Sequence, residues 1–248
     1  LSNKGSWGMG TDDVTRTGPR GYELQYDVTA WLGLIMSTGS MLVEASDGED
    51  AQLLITNTDV ERVDIQVKSG TDAFDLDALV DILTHFPKGN SSTPLIQLLS
   101  QEPKRLLLIV SSARAVDATA PLISDASLSL RIKPIRVPEL SKAMLIALKL
   151  RRPRPKTKLA QQRSVAINSF SSAATQPQIE GILQRVRLVE RTSREAVRIK
   201  LIETLVRKGI ARADAEHCLA SLADIVRESR DARDDLLPRL EGFVRSKQ

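Results

Sequence analysis

Cysteine, aromatic residues and long apolar runs are scarce in this chain. Its 248 residues include one cysteine, Cys218, so no disulfide forms within the chain, and we expect a reducing, cytoplasmic setting. No apolar run reaches the roughly 18 residues of a membrane-spanning helix, and the N-terminus lacks the basic and apolar segments of a signal peptide. We therefore expect no membrane contact. A chain that begins with Leu is interpreted as a piece of a longer protein.

Several common functional motifs are also missing. No Gly-Lys-Ser/Thr loop is present, which argues against ATP binding through a phosphate-binding loop. His217 and Cys218 are adjacent but have no second pair of ligands, so a zinc site is not predicted. No Ser/His/Asp grouping indicates a nucleophilic triad.

Charge is distributed unevenly along the chain. Residues 1–150 carry 14 Lys and Arg against 19 Asp and Glu, a net charge of −5, whereas residues 151–248 carry 21 against 12, a net charge of +9. A basic second half suits a polyanion such as nucleic acid. Helices with solvated Arg faces would give the same composition, and charge alone does not decide between the two.

Apolar spacing predicts one α/β unit followed by helices. A helix is predicted at 22–36, strands at 40–45, 50–55 and 63–68, helices at 75–86 and 94–101, and a buried strand at 105–112. We assign 1–18 to a flexible segment, 19–150 to this core, 151–175 to a basic linker and 176–248 to an all-helical subdomain. In the last part, Ile179, Ile182, Leu183 and Val186 are placed on one helical face.

Three polar residues lie at the ends of two apolar runs. Gln66 and Lys68 share one face of their strand because side chains alternate, and a hairpin would set Asp50 beside them. The Asp50 carboxylate and the Gln66 amide oxygen suit a hard cation such as Mg²⁺, which keeps several waters. Lys68 can then orient an attacking water or stabilise charge on a phosphate. Hydrolysis of a phosphodiester is the chemistry this set predicts.

Each of these residues also has a structural interpretation. Lys68 could protect a sheet edge from aggregation, and Asp50 could close a turn. Glu44, at the end of the first strand, is either a further metal ligand or a solvated strand end. Glu23 is either a ligand or a favourable acid in the first turn of a helix. Gln25 could contact DNA or cap local backbone, and the structural interpretation is favoured.

The order helix, three strands, helix, strand, together with Gln66-Val67-Lys68, resembles the PD-(D/E)xK nuclease superfamily, with Gln in place of the usual acid. The resemblance implies a restriction-endonuclease-like core followed by a helical appendage. It also implies Mg²⁺ as cofactor, with Mn²⁺ as substitute, and Glu23 or Glu44 as additional metal ligands. The lost negative charge should weaken metal binding.

Three segments narrow the resemblance: GYELQYDVTAWLGL, VEASDGEDAQLLI and VDIQVKSG. They look like the endonuclease effector domain of bacterial anti-phage defence proteins, which occurs in CBASS nucleases and at the N-terminus of antiviral STAND NTPases. This implies cleavage of double-stranded DNA after self-association, with a sensor or NTPase domain outside this chain.

Two functions follow as hypotheses. The first is a Mg²⁺-dependent DNA endonuclease with little sequence specificity, centred on Asp50, Gln66 and Lys68, with RNA as a possible substrate. The second is a catalytically silent nucleic-acid-binding or oligomerisation module. In both, we expect the linker residues Arg151, Arg152 and Arg154 to contact the phosphate backbone.

Overall fold

The computed structural model describes residues 19–36, 39–44, 50–56, 59–70, 73–87, 92–124, 137–151 and 157–248. The segment predicted to be flexible, 1–18, lies outside these residues. Two of the predicted DNA contacts, Arg152 and Arg154, also lie outside them.

A mixed sheet runs through the centre of the described residues. Its five strands are β1 (Ser40–Val43), β2 (Ala51–Leu54), β3 (Arg62–Lys68), β4 (Arg105–Ser111) and β5 (Val186–Val189). They lie in the order β1-β2-β3-β4-β5. Pairing is antiparallel between β1 and β2 and between β2 and β3, and parallel between β3 and β4 and between β4 and β5.

Helices cover both faces of the sheet. Apolar side chains of α1, α7, α8 and α9 form a core with one face, and those of α2, α3, α4 and α6 form a second core with the other. The helices are α1 (Pro19–Ile35), α2 (Leu76–Leu83), α3 (Leu95–Gln101), α4 (Pro138–Leu150), α5 (Lys158–Ala173), α6 (Gln176–Leu183), α7 (Arg194–Arg207), α8 (Arg212–Ala232) and α9 (Leu236–Arg245). None of these described helices combines the length and apolar character needed to cross a bilayer.

The predicted α/β class is confirmed, and the predicted elements from α1 to β4 occur in the expected order. Two predictions for the second half are wrong. The linker assigned to 151–175 contains α5, which Thr157 caps by accepting a hydrogen bond from the Ala160 N–H. The all-helical assignment of 176–248 misses β5, whose first residue, Val186, was placed on a helix. Because β5 pairs with β4, the C-terminal part contributes a strand to the same sheet as the N-terminal part.

Candidate active site

The topology brings the predicted site residues to one end of the strands, where the parallel strands of the sheet have their carboxyl ends. We call this end the edge of the site. Strand β3 ends at Lys68, and the antiparallel strand β2 begins just after Asp50 at the same edge. Strand β1 runs parallel to β3, so Glu44, which follows it, also lies there, and the Glu44 N–H donates to the Asp50 carbonyl oxygen at 2.9 Å. Ligands in open α/β sheets bind beyond the carboxyl ends of the parallel strands. This edge is therefore the expected place for a site.

Asp50 is anchored to the neighbouring strand rather than to its own turn. The ladder between β2 and β3 ends at the Ala51–Ile65 pair, and the Asp50 carboxylate Oδ2 accepts the next bond, from the Val67 N–H at 2.5 Å. The buried Gln25 amide donates to the Asp50 carbonyl oxygen at 3.4 Å, a backbone contact of the kind the structural interpretation of Gln25 predicts. The carboxylate is thus fixed beside the residue that follows Gln66.

Gln66 and Lys68 share the face of β3 opposite to Ile65 and Val67, as the alternation predicts, since both apolar residues lie in the core with α1. Gln66 is buried and Lys68 is exposed. Strand β3 is the third of five strands. The interpretation of Lys68 as protection of a sheet edge is therefore wrong, because β3 has a partner strand on each side.

The two further acids are paired with arginines from the C-terminal helices. Glu23 forms an ion pair with Arg194 of α7, and the Glu44 carboxylate lies 3.7 Å from the Arg230 guanidinium of α8. Glu44 also has a positive φ of 46°, which is uncommon for a residue other than glycine. Neither of these arginine contacts indicates that Glu23 or Glu44 binds a metal.

The donor set suits a cation with few protein ligands. No group of three or more His, Cys, Asp or Glu side chains in the described residues is arranged to hold a metal ion, so Glu23 and Glu44 do not join Asp50 in a carboxylate cluster. Asp50 and Gln66 together offer hard oxygen donors, and Mg²⁺ with its own waters needs no more than a few. These two residues fit the metal that the resemblance implies.

A buried carboxylate that the sequence did not single out lies next to this edge. Asp27 of α1 is buried, and its Oδ2 accepts from the Arg194 Nε at 2.9 Å. Burial raises the pKa of the Asp27 carboxyl above its ordinary value, and the Arg194 hydrogen bond opposes the rise. Arg194 thus joins α7 to both acids of α1. The sequence does not indicate the contact between Asp27 and Arg194, because 167 positions separate the two residues.

Replacing Arg194 by Gln is expected to lower the free energy of unfolding by about 2 kcal/mol at neutral pH, because Asp27 then stays charged and buried without its main partner. The pKa of Asp27 is raised in the folded state above 3.8, so its protonation favours the fold, and the difference from the parent should shrink as the pH falls towards 3.8. Urea unfolding of parent and variant at neutral and mildly acidic pH measures this. Arg198→Gln is the control, because the Arg198 Nε lies farther from the Asp27 carboxylate, at 3.9 Å. If Arg194→Gln lost the same free energy of unfolding at neutral and at mildly acidic pH, the explanation would be contradicted.

Lys68 borders a cleft of about 290 Å³ between α2 and the ends of β3 and β4. Gly70, Phe74, Ala78, Asp81 and His85 also line it. One predicted DNA contact, Arg151, is bonded to a residue of this lining, because its guanidinium donates to the Asp81 carboxylate at 2.6 Å.

No protein-family model matches the chain, and no curated protein matches it in sequence. Two solved structures are similar to it. The Cap4 SAVED/CARF-domain containing receptor of Moraxella osloensis is 11% identical with a TM-score of 0.48, over 93% of this chain and 48% of the receptor. The receptor of the same type from Acinetobacter baumannii, solved with the cyclic trinucleotide 3′3′3′-cAAA, is 11% identical with a TM-score of 0.44, over 92% of this chain and 44% of the receptor. The chain spans about half the length of these receptors.

Proposed function

We propose that the chain is a Mg²⁺-dependent endonuclease that hydrolyses DNA phosphodiester bonds with little sequence specificity. The observation that carries the proposal is the anchoring of the Asp50 carboxylate on β3, between Gln66 and Lys68. The resemblance of its segments to endonuclease effector domains suggests a setting in anti-phage defence. We further propose that self-association activates cutting, because two strands require two sites.

Each residue has a defined part in this proposal. Asp50 and Gln66 hold the Mg²⁺, which supplies Lewis-acid stabilisation of charge on the phosphate. The Lys68 ammonium binds a non-bridging phosphate oxygen or orients the attacking water. Arg151, which is paired with the cleft residue Asp81, contacts the backbone of the substrate strand, which carries no sequence information.

The C-terminal helices argue against the alternative function, a catalytically silent binding module. Their arginines account for much of the positive charge of the second half, and several of them form ion pairs with carboxylates on the same helix or in the loop between α8 and α9. Such pairs are Arg212–Glu216, Arg227–Asp224, Arg239–Asp234 and Arg245–Glu241. An arginine that is already paired must give up its carboxylate to bind a phosphate, which weakens a purely electrostatic surface. The nuclease proposal shares this cost at Arg151, which is paired with Asp81, but it adds Lys68 as a second phosphate contact.

The decisive experiment compares the parent with Asp50→Asn on supercoiled plasmid, with Mg²⁺, with Mn²⁺ and with a chelator. Asn keeps an oxygen that accepts the Val67 N–H, so the edge should stay folded while the negative charge is lost. We expect metal-dependent nicking and linearisation by the parent and loss of both in the variant. Weaker Mn²⁺ binding by the variant, measured by calorimetry, should accompany the loss. Equal cutting by both proteins, or an inert parent even when a fused coiled coil forces it to dimerise, would overturn the proposal.

A further inference from the structure

The cleft beside Lys68 has walls that are fixed by hydrogen bonds on several sides. The Ser112 hydroxyl accepts from the Gly70 N–H at 2.8 Å and donates to the Gly70 carbonyl oxygen at 2.6 Å, which pins the segment that follows Lys68. The Phe74 N–H donates to the Arg114 carbonyl oxygen at 2.8 Å, and the Thr119 hydroxyl donates to the Phe74 carbonyl oxygen at 2.6 Å. The described walls are thus formed before any ligand arrives, which reduces the ordering cost of binding.

The lining changes in character from one side of the cleft to the other. Phe74 and Ile82 are almost fully buried and, with Ala78, provide an apolar wall. Asp81, on α2, and His85, two residues after the end of α2, add polar groups. A flat, aromatic molecule with a polar edge satisfies both sides.

We propose that this cleft binds one nucleobase of the nucleic-acid strand, with the adjoining phosphate at Lys68. The inference rests on the proposed function for the identity of the ligand. A volume of about 290 Å³ is at the lower limit for small-molecule sites and suits a single base rather than a dinucleotide. Since a base inside a duplex is stacked on its neighbours, binding in the cleft requires it to unstack. The substrate strand is therefore single, frayed or locally opened where it is cut.

The test uses 5′-deoxynucleoside monophosphates as probes of the whole chain, followed by the NMR shifts of the Gly70 and Ser112 amides. Ala78→Phe should fill the cleft and exclude the base. The expected loss of affinity is at least tenfold, or about 1.4 kcal/mol, because one bound base typically contributes free energy of this order. Ala73→Phe, at the exposed rim of the same cleft, is the second variant should the first unfold. Ala220→Phe places the same side chain on an exposed position of α8 and should bind as the parent does.

Three results would overturn the inference: no shift of these amides with any nucleotide, equal shifts with inorganic phosphate alone, or equal weakening by Ala220→Phe. The outcome is separable from that of the proposed function. Nucleotide binding in the cleft of a chain that cuts no DNA would remove the nuclease proposal and keep the base site. Metal-dependent cutting without nucleotide binding would do the reverse.

Discussion

Lys68→Met is expected to cut DNA about 10²- to 10³-fold more slowly than the parent, which is the usual loss when one preorganised electrostatic group is removed from a reacting centre. Met keeps the length and apolar stem of lysine and removes only the ammonium. Lys68 is exposed at the end of a central strand. The free energy of unfolding should therefore change by no more than about 0.5 kcal/mol. Single-turnover cleavage with saturating Mg²⁺ and protein measures the rate without a contribution from DNA binding.

Lys104→Met is the matched control. Lys104 is also exposed and pairs with Glu61, but it precedes β4 at the opposite edge of the sheet. We expect this variant to cut at the parent rate. A comparable loss in both variants would mean that general positive charge, rather than the ammonium at the candidate site, governs the reaction. A Lys68→Met protein that cuts normally once bound would assign Lys68 to substrate binding alone.

The association of Asp50, Gln66 and Lys68 could be predicted because it depends on short-range order. A hairpin between two neighbouring apolar runs fixes which of their ends meet, and alternation fixes which side chains share a face. The partners of the other acids could not be predicted in this way. Glu23 and Arg194 are separated by 171 positions, and nothing in the pattern of either helix indicates that they touch. The sequence therefore leaves Glu23 open between a metal ligand and a favourable acid in the first turn of a helix, and the structure shows its contact with Arg194.

The same limit explains the missed strand. Strand β5 has four residues, and its apolar positions continue the helical spacing of α6, so periodicity favoured one longer helix. What makes it a strand is parallel pairing with β4, for example between Ile109 and Leu188. Helix α5 was missed because its apolar periodicity is weak: only three buried residues mark its inner face. Both errors arise where tertiary contacts outweigh local sequence signals.

A buried ion pair joins the strands at the opposite end of the sheet from the candidate site. Asp64 of β3 is fully buried, accepts from the Gln52 amide of β2 at 3.0 Å and pairs with the Arg105 Nε of β4. The Arg105 side chain is 1% exposed and also donates to the Glu102 carboxylate at 3.0 Å. Polar side chains on three adjacent strands therefore contact one another on the face that packs against α2 and α3. A register shift of any of these strands would leave a charge buried without its partner.

Arg105→Met is expected to lower the free energy of unfolding by about 3 kcal/mol, because the buried Asp64 carboxylate loses its hydrogen-bonded cation and keeps only the Arg62 Nε at 3.6 Å and the Gln52 amide. The pair itself contributes little net stability, since taking both charges out of water costs about as much as their attraction returns. The double variant Asp64→Leu/Arg105→Met should therefore recover most of the loss. Urea unfolding of the parent, both single variants and the double variant gives the coupling energy directly. Arg105→Lys, which keeps the charge and loses the Glu102 contact, provides a milder variant if Arg105→Met fails to fold. A loss below about 1 kcal/mol in Arg105→Met, or a double variant less stable than either single one, would show that the pair is not what holds this end of the sheet.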